Sequence, residues 1–203
     1  MTRIVAAVVL AFVLAGCGAA PPAPVRDGDI IFHTSRSAQS LAIQRATHSP
    51  YSHMGLILYR NGQPYVFEAV GPVRYTPFGS WVSRGIGGHY VIKRLRNADV
   101  VLDAGGVDKL RRAAESFAGR PYDLTFEWSD SRIYCSELVW KAYERALGVR
   151  IGSLQRLRDF DLSDSEVQAR MKQRYGSKMP LDEAVISPAA MFAAPNLVTV
   201  VTR

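Results

Sequence analysis

The apolar residues of this chain keep two rhythms, and the alternation between them predicts a mixed fold. Asp27 to Phe32 reads as a turn entering a short strand. His53 to Tyr59 and Tyr65 to Val70 are apolar, β-rich runs on either side of Asn61-Gly62. Both residues of that pair tolerate positive φ, which makes it the strongest short hairpin signal. Tyr90 to Leu95 and Leu197 to Val201 read as further strands. The helical rhythm governs four longer segments. Ser37 to Thr47 carries Leu41 and Arg45 four apart, with Ser35 or Ser37 as cap. Gly106 to Ala118 places Leu110, Ala113, Ala114 and Phe117 on one side. Cys135 to Leu147 ends at Gly148, a natural C-terminal stop. Asp164 to Tyr175 is a charged surface helix capped by Ser163 or Asp164, and Ser187-Pro188 opens a short helix. Helices combined with hairpin-linked strands give an α+β class. No repeat or low-complexity tract follows residue 26, so residues 27–203 read as one domain.

The first segment follows other rules. Arg3 precedes an apolar run, Ile4 to Ala15, of signal-peptide length. A bilayer span needs roughly 20 apolar residues, more than this run supplies. It ends in Leu14-Ala15-Gly16-Cys17, which resembles the bacterial lipobox. The resemblance implies cleavage before Cys17 and acylation of that residue, a membrane anchor of several chains. An ordinary signal peptide with a chance Cys is the alternative. Gly18 follows the Cys where an Asp retention signal is absent, so the expected location is the outer membrane of a bacterial envelope, facing the periplasm. The expected organisation is a leader over 1–17, a Pro/Ala-rich tether over 18–26, and the domain.

Composition narrows the partners. A chain of 203 residues, 48% hydrophobic, builds one well-filled domain and is cramped for two; a monomer is expected. The formal charge is +7, and removal of Arg3 with the leader lowers it by one. Basic residues are scattered rather than clustered, the closest run being Lys93-Arg94-Leu95-Arg96. Such a surface in an exported protein suits anionic polymers and phospholipid head groups, and export argues against nucleic acid.

With Cys17 assigned to the lipobox, Cys135 has no disulfide partner within the chain. An unpaired thiol in an oxidising compartment is either buried or has a task. Its position favours the task. It stands where an irregular stretch, Trp128 to Tyr134, turns into a helix whose residues 135, 138, 139, 142 and 146 share an apolar face. The helix N-terminus favours a thiolate, and its free N–H groups suit a developing oxyanion. A buried, inert Cys remains the other reading.

Four His are available as base, and His33, His48 and His89 sit in loops or at strand edges as polar surface residues. His53 opens an apolar strand. If Asn61-Gly62 is a two-residue turn, His53 faces Val70 and Glu68 faces Gly55. His53 and Glu68 then project from the same face as diagonal neighbours, about 7–8 Å apart at the backbone. A Glu between Val66 and Val70 in a buried strand is costly unless paired, and a carboxylate on one imidazole nitrogen fixes the tautomer. The bland alternative is a solvated Glu and a satisfied core His. The His spacing matches no metal site, and no metal or cofactor is expected.

At these residues the chain resembles a known family. GDIIF, SPYSHMGLI, YVFEAVGPV, RPYDLTF and IYCSELVWKAY, in that order, are similar to the circularly permuted, papain-like NlpC-type hydrolases of the YiiX/YebB group, with lecithin:retinol acyltransferase in the same permuted set. The resemblance covers residues 27 to 150. It implies a papain-like antiparallel sheet or half-barrel packed on a buried helix, with Cys135 as nucleophile, His53 as base and Glu68 as third polar residue. Tyr51, Tyr122 and Tyr134 lie beside the motifs, as groove lining, oxyanion donors or plain packing. The expected activity is cleavage of an amide or peptide bond, with cell-wall peptide as one substrate. A lipid-directed acyltransferase or thioesterase is the second reading, and a non-catalytic ligand-binding lipoprotein the third.

Overall fold

The computed structural model describes residues 25–203. The expected leader with Cys17, and the tether as far as residue 24, lie outside the described residues. The chain begins with β1 (Ile30–His33), α1 (Ala38–Thr47), β2 (His53–Arg60), β3 (Gln63–Glu68) and β4 (Arg74–Pro77). It continues through α2 (Phe78–Val82), β5 (Val91–Leu95), α3 (Ala98–Val101), α4 (Ala104–Glu115) and α5 (Cys135–Leu147). The last part holds β6 (Gln155–Arg156), α6 (Ser165–Tyr175), β7 (Ala184–Val185), α7 (Pro188–Phe192) and β8 (Leu197–Thr202).

Six strands form one antiparallel sheet in the order β4-β3-β2-β1-β5-β8, and β6 and β7 pair separately. The β2–β3 hairpin turns on Asn61 (φ 50) and Gly62 (φ 74), and Arg60 faces Gln63 while Leu56 faces Phe67. That is the register the two-residue turn dictates. Side chains alternate along each strand, and both faces of the sheet are covered. Met54, Leu56 and Leu58 of β2 join Leu138 and Val139 of α5 in the larger core. Ile31, Ile57, Val66 and Ile92 face the other way, beneath Phe78 and Trp81 of α2.

The helix that starts at Cys135 is more central than its apolar face predicts. Every residue from Cys135 to Tyr143 is buried, Glu137 and Lys141 included. A helix buried all round belongs inside the molecule: β2 packs on one side, and α4 and α7 on others. Glu137 and Lys141 are accommodated because they pair at 2.7 Å. Gly148 (φ 65) terminates the helix, and the Tyr143 hydroxyl donates to the Gly28 carbonyl to tie it to the start of the domain.

Residues 76 to 88 are expected from the sequence as a groove-forming loop. They instead contain the end of β4 and all of α2, and they bury Trp81 completely. Phe78, Trp81, Val82 and Ile86, spread through a Gly/Ser-rich stretch, leave too little periodicity to read. In the final fifty residues, α6 lies against α1, and the Ser136 hydroxyl donates to the Ile186 carbonyl at 2.8 Å. The C-terminal segment is thereby stitched to the head of α5.

Candidate active site

The head of α5 is set by the strand-like residues before it. Ile133 donates to the Pro121 carbonyl and Asp123 donates to the Ile133 carbonyl, each at 3.1 Å, so residues 121–123 run alongside 133. Asp123 then closes a local turn, accepting from the Thr125 N–H and hydroxyl at 2.8 Å each. Tyr134 keeps extended backbone (φ −104, ψ 169), and the helix begins at the next residue. Cys135 therefore occupies the first helical position with only 3% of its surface exposed. The N–H groups of that first turn have no carbonyl of their own helix to bond.

His53 approaches from the first position of β2. Its Nε2 lies 2.6 Å from Glu68 Oε2, and the ring also hydrogen-bonds the Cys135 side chain. With Nε2 committed to the carboxylate, Nδ1 is the nitrogen left for sulfur. Burial of the ring opposes its charge, yet the hydrogen bonds and charges of Cys135 and Glu68 outweigh burial and raise its pKa to about 9. Glu68 is fully buried. Burial pushes its carboxyl up, but bonds from His53 and from the Thr76 hydroxyl (2.6 Å), with the Arg84 guanidinium, hold it down at about 2. The three residues form one hydrogen-bonded series, Glu68–His53–Cys135.

Gly55 makes the approach of Glu68 feasible. A Cβ there meets Val66 Cγ1 at 2.4 Å and the Phe67 carbonyl at 3.0 Å, with Glu68 Cβ at 3.4 Å. The crowding that requires glycine comes first from Val66 and only then from the carboxylate side chain.

His33 needs correction. It is a buried residue, 1% exposed, and it stands directly across β1–β2 from His53. Its ring stacks on Trp81 at 3.8 Å between centroids, and its Nδ1 has no hydrogen-bond partner among the described residues. Burial, and then the positive charges of His53 and Arg84, lower its pKa to about 3. It stays neutral beside a protonated neighbour. Thr76, Trp81 and Arg84 also escape a sequence reading: the pairing of β4 with β3 delivers Thr76, and the folding of α2 over the sheet delivers Trp81 and the Arg84 that follows it.

The three tyrosines separate. Tyr51 stacks on Phe192 at 4.0 Å and meets Phe32 edge-on, so it is packing and lines neither cleft at the site. Tyr134 lines the cleft beside Cys135, and its hydroxyl accepts from the Ile186 N–H at 3.1 Å. Tyr122 lines both clefts that meet here. Its hydroxyl accepts from Gln39 Nε2 at 2.8 Å and keeps its own proton to give. Burial first, and the neighbouring Cys135 next, push its pKa far above that of an ordinary phenol.

A thiol at a buried helix head, an imidazole and a buried carboxylate, with the His strand preceding the Cys helix, define a papain-like cysteine hydrolase of permuted chain order. The comparisons name the group. Residues 24–201 match the model of the permuted papain-like amidase enzymes, YaeF/YiiX, C92 family, and the chain belongs to that family. It is 54% identical over 173 residues to uncharacterized protein YiiX of Escherichia coli (strain K12), spanning 85% of this chain and 84% of that one. It also superposes on a crystal structure described as metalloprotein yiiX from Escherichia coli O157:H7, with a TM-score of 0.84 and 53% identity, over 88% of this chain and 97% of the other.

Proposed function

We propose that this enzyme hydrolyses an amide bond through a thioester, with Cys135 as nucleophile, His53 as base and acid, and Glu68 holding the imidazole. The observation that carries the reading is the hydrogen-bonded series Glu68–His53–Cys135 at the head of α5. His53 takes the thiol proton, and the sulfur attacks the carbonyl carbon. The N–H of Cys135 and the Tyr122 hydroxyl are the donors for the oxyanion. The C–N bond then breaks, and His53 gives its proton to the departing amine. Water enters, His53 takes a proton from it, and attack on the thioester releases the acid and restores the thiol.

A relative is described as a metalloprotein. In this chain no three His, Cys, Asp or Glu side chains among the described residues are grouped to hold a metal ion, so the donor set does not fit one, and every step above uses side chains and water alone. The lipobox-like Leu14 to Cys17 supports anchoring in the outer membrane facing the periplasm. No helix among the described residues is long and apolar enough to cross a membrane.

Iodoacetamide labelling at neutral pH tests the site directly. The native protein is expected to label far faster than the urea-unfolded chain, Cys135→Ala to lose labelling, and His53→Ala to slow it at least a hundredfold. Equal labelling of folded and unfolded protein overturns the proposal.

A further inference from the structure

The cleft on the His53 side of the thiol has a volume of about 900 Å³ counting its mouth, a size that suits a small ligand. Ser35, Ser37, Gln39, Ser52 and Arg84 line it, and none of its lining residues is Asp or Glu. Two stretches of irregular chain build this wall. Ser35 bridges Gly85 in antiparallel fashion, and the Ile86 N–H donates to the Thr34 carbonyl at 2.9 Å, so residues 34–36 run beside 84–86. Gly85 allows the close approach, because a Cβ there meets His33 Nδ1 at 2.9 Å. The pairing sets Arg84 in the cleft and brings the exposed Arg36 to the residue beside it, where it donates to the Gly85 carbonyl at 3.4 Å. Arg84 is only partly engaged by the catalytic series. Its Nη2 donates to Glu68, and no other nitrogen of the group has an acceptor among the described residues, the buried Nε included. About a third of the side chain (36%) stays open. A guanidinium carries its N–H donors in a planar fork that matches a carboxylate.

The chemistry says which part of a substrate lies here. The imidazole protonates the departing amine, so the amine half leaves along the His53 side. His53 holds one oxygen of Glu68 and Arg84 holds the other, which sets imidazole and guanidinium side by side. Resting on the amide-hydrolase reading above, we infer that the departing amine is an amino acid with a free α-carboxylate, received by the Arg84 guanidinium. The carboxyl carbon of an amino acid stands two bonds from the nitrogen, so an amine within reach of His53 delivers its carboxylate to the neighbouring cation. A phosphorylated amino alcohol carries its anion four bonds away, beyond that neighbour. The bond broken is then the amide C–N of an N-acyl amino acid or of a peptide's last residue, two substrates that present the same carboxylate. Hydrogen bonds between charged groups are roughly twice as strong as neutral ones, and this wall supplies the cation without a competing free carboxylate.

The test uses the full chain and three amides with one acyl half: acetyl-alanyl-alanine, its alaninol counterpart and acetyl-alanyl-phosphoethanolamine, read by mass as release of the amine. The carboxylate substrate is expected to exceed the alaninol one by about tenfold or more in kcat/KM, the difference that one hydrogen bond between charged groups makes. Acetyl-alanine paired with acetyl-alaninol repeats the comparison for an acyl amino acid, and the preference in either pair supports the shared carboxylate. Arg84→Gln also loosens Glu68 and slows every substrate, so the readout is the ratio within each pair, which is expected to fall to roughly one. Calorimetric binding to Cys135→Ala supplies a readout free of turnover. Acetyl-alanyl-alanine should bind it about tenfold or more tighter than the alaninol form, and the preference should vanish in Cys135→Ala with Arg84→Gln. Equal handling of carboxylate and alaninol, a preference that survives Arg84→Gln, or a preference for the phosphate overturns the inference. If the thiol labels but no amide is cleaved, the binding comparison decides. If no amide is cleaved and the thiol does not label, the hydrolase reading fails; if all are cleaved alike, only the assignment of the carboxylate fails.

Discussion

Glu68→Gln removes one negative charge at nearly constant shape, and its consequence can be worked from the geometry. Glu68 accepts from His53 on one oxygen and from Thr76 and Arg84 on the other. A Gln must turn its carbonyl oxygen toward one pair of donors. Thr76 and Arg84 together claim it, so the amide NH₂ faces His53 Nε2. That nitrogen must then accept, and the ring proton moves to Nδ1, the atom that has to receive the thiol proton. Two losses add. The rise of His53 from 6.5 to about 9 represents about 3 kcal/mol of preference for the charged ring. Glu68 and Cys135 share it, and an even division gives the carboxylate about 1.5 kcal/mol, roughly tenfold in rate. The tautomer error is larger: the equivalent acid-to-amide change in a serine-protease triad costs about 10⁴.

The expected outcome for Glu68→Gln is therefore a fall in kcat/KM of about 10² to 10⁴ with the fold intact by circular dichroism. The alkylation rate of Cys135, followed from pH 5 to pH 10, checks the cause. In the variant, the fast labelling expected near neutrality should vanish. A folded Glu68→Gln protein that keeps the native rate and pH profile refutes the argument, because the carboxylate would then have no hold on the imidazole.

Three further outcomes follow from the same side chains. Amide turnover should fall as pH rises through about 9, where His53 loses the proton it must hand to the leaving amine; a pH–kcat profile flat to pH 10 contradicts this. The same group contributes stability that is complete below its unfolded value near 6.5 and is lost as pH climbs to about 9. His33 works in the opposite direction, because its folded pKa of about 3 lies below the unfolded value of 6.5. Its contribution is present above pH 6.5 and declines toward pH 3, so between pH 7.5 and 4.5 it accounts for a loss of about 3 kcal/mol. His33→Leu should unfold, in urea titrations at the two pH values, with a difference smaller by about that amount. Gly55→Ala should cost about 1–3 kcal/mol in the same assay through its contact with Val66, and slow Cys135 alkylation as the Glu68 strand shifts; native stability in this variant contradicts the packing.

Much of the site could be read from the sequence because local rules specify it. Asn61-Gly62 selects a turn, the turn fixes the register, and the register puts His53 and Glu68 on one face. Gly148 and the apolar spacing fix the extent of α5, and with it the place of Cys135 at a helix head. The remainder depends on pairings distant in sequence. His33 looks like a strand-end polar residue until β1 lies beside β2; Thr76 reaches Glu68 because β4 pairs with β3, and Arg84 because α2 folds back over the sheet. Tyr51 was adjacent to a motif in sequence, but its neighbour is Phe192, far along the chain. Strands as short as β6 and β7 carry no period at all.

The two halves of the chain hold different parts of the function. Cys135, His53 and Glu68, with the Tyr122 hydroxyl, all come from residues before α6, and their positions rest on a fully buried helix and a sheet covered on both faces. Displacing any of them means repacking a core, which costs several kcal/mol. The apolar cleft beside the thiol instead takes Phe160, Val167, Met171 and Val185 from the C-terminal segment. That segment packs α6 on α1, adds β8 to the edge of the main sheet, and bonds the head of α5 through Ser136 and Ile186. Substitutions in α6 that face the cleft can therefore reshape what the thiol meets while α5 stays fixed. Reaction chemistry and substrate choice should accordingly respond to mutation separately, with the alkylation rate of Cys135 as the measure of the first and relative turnover across a panel of amides as the measure of the second.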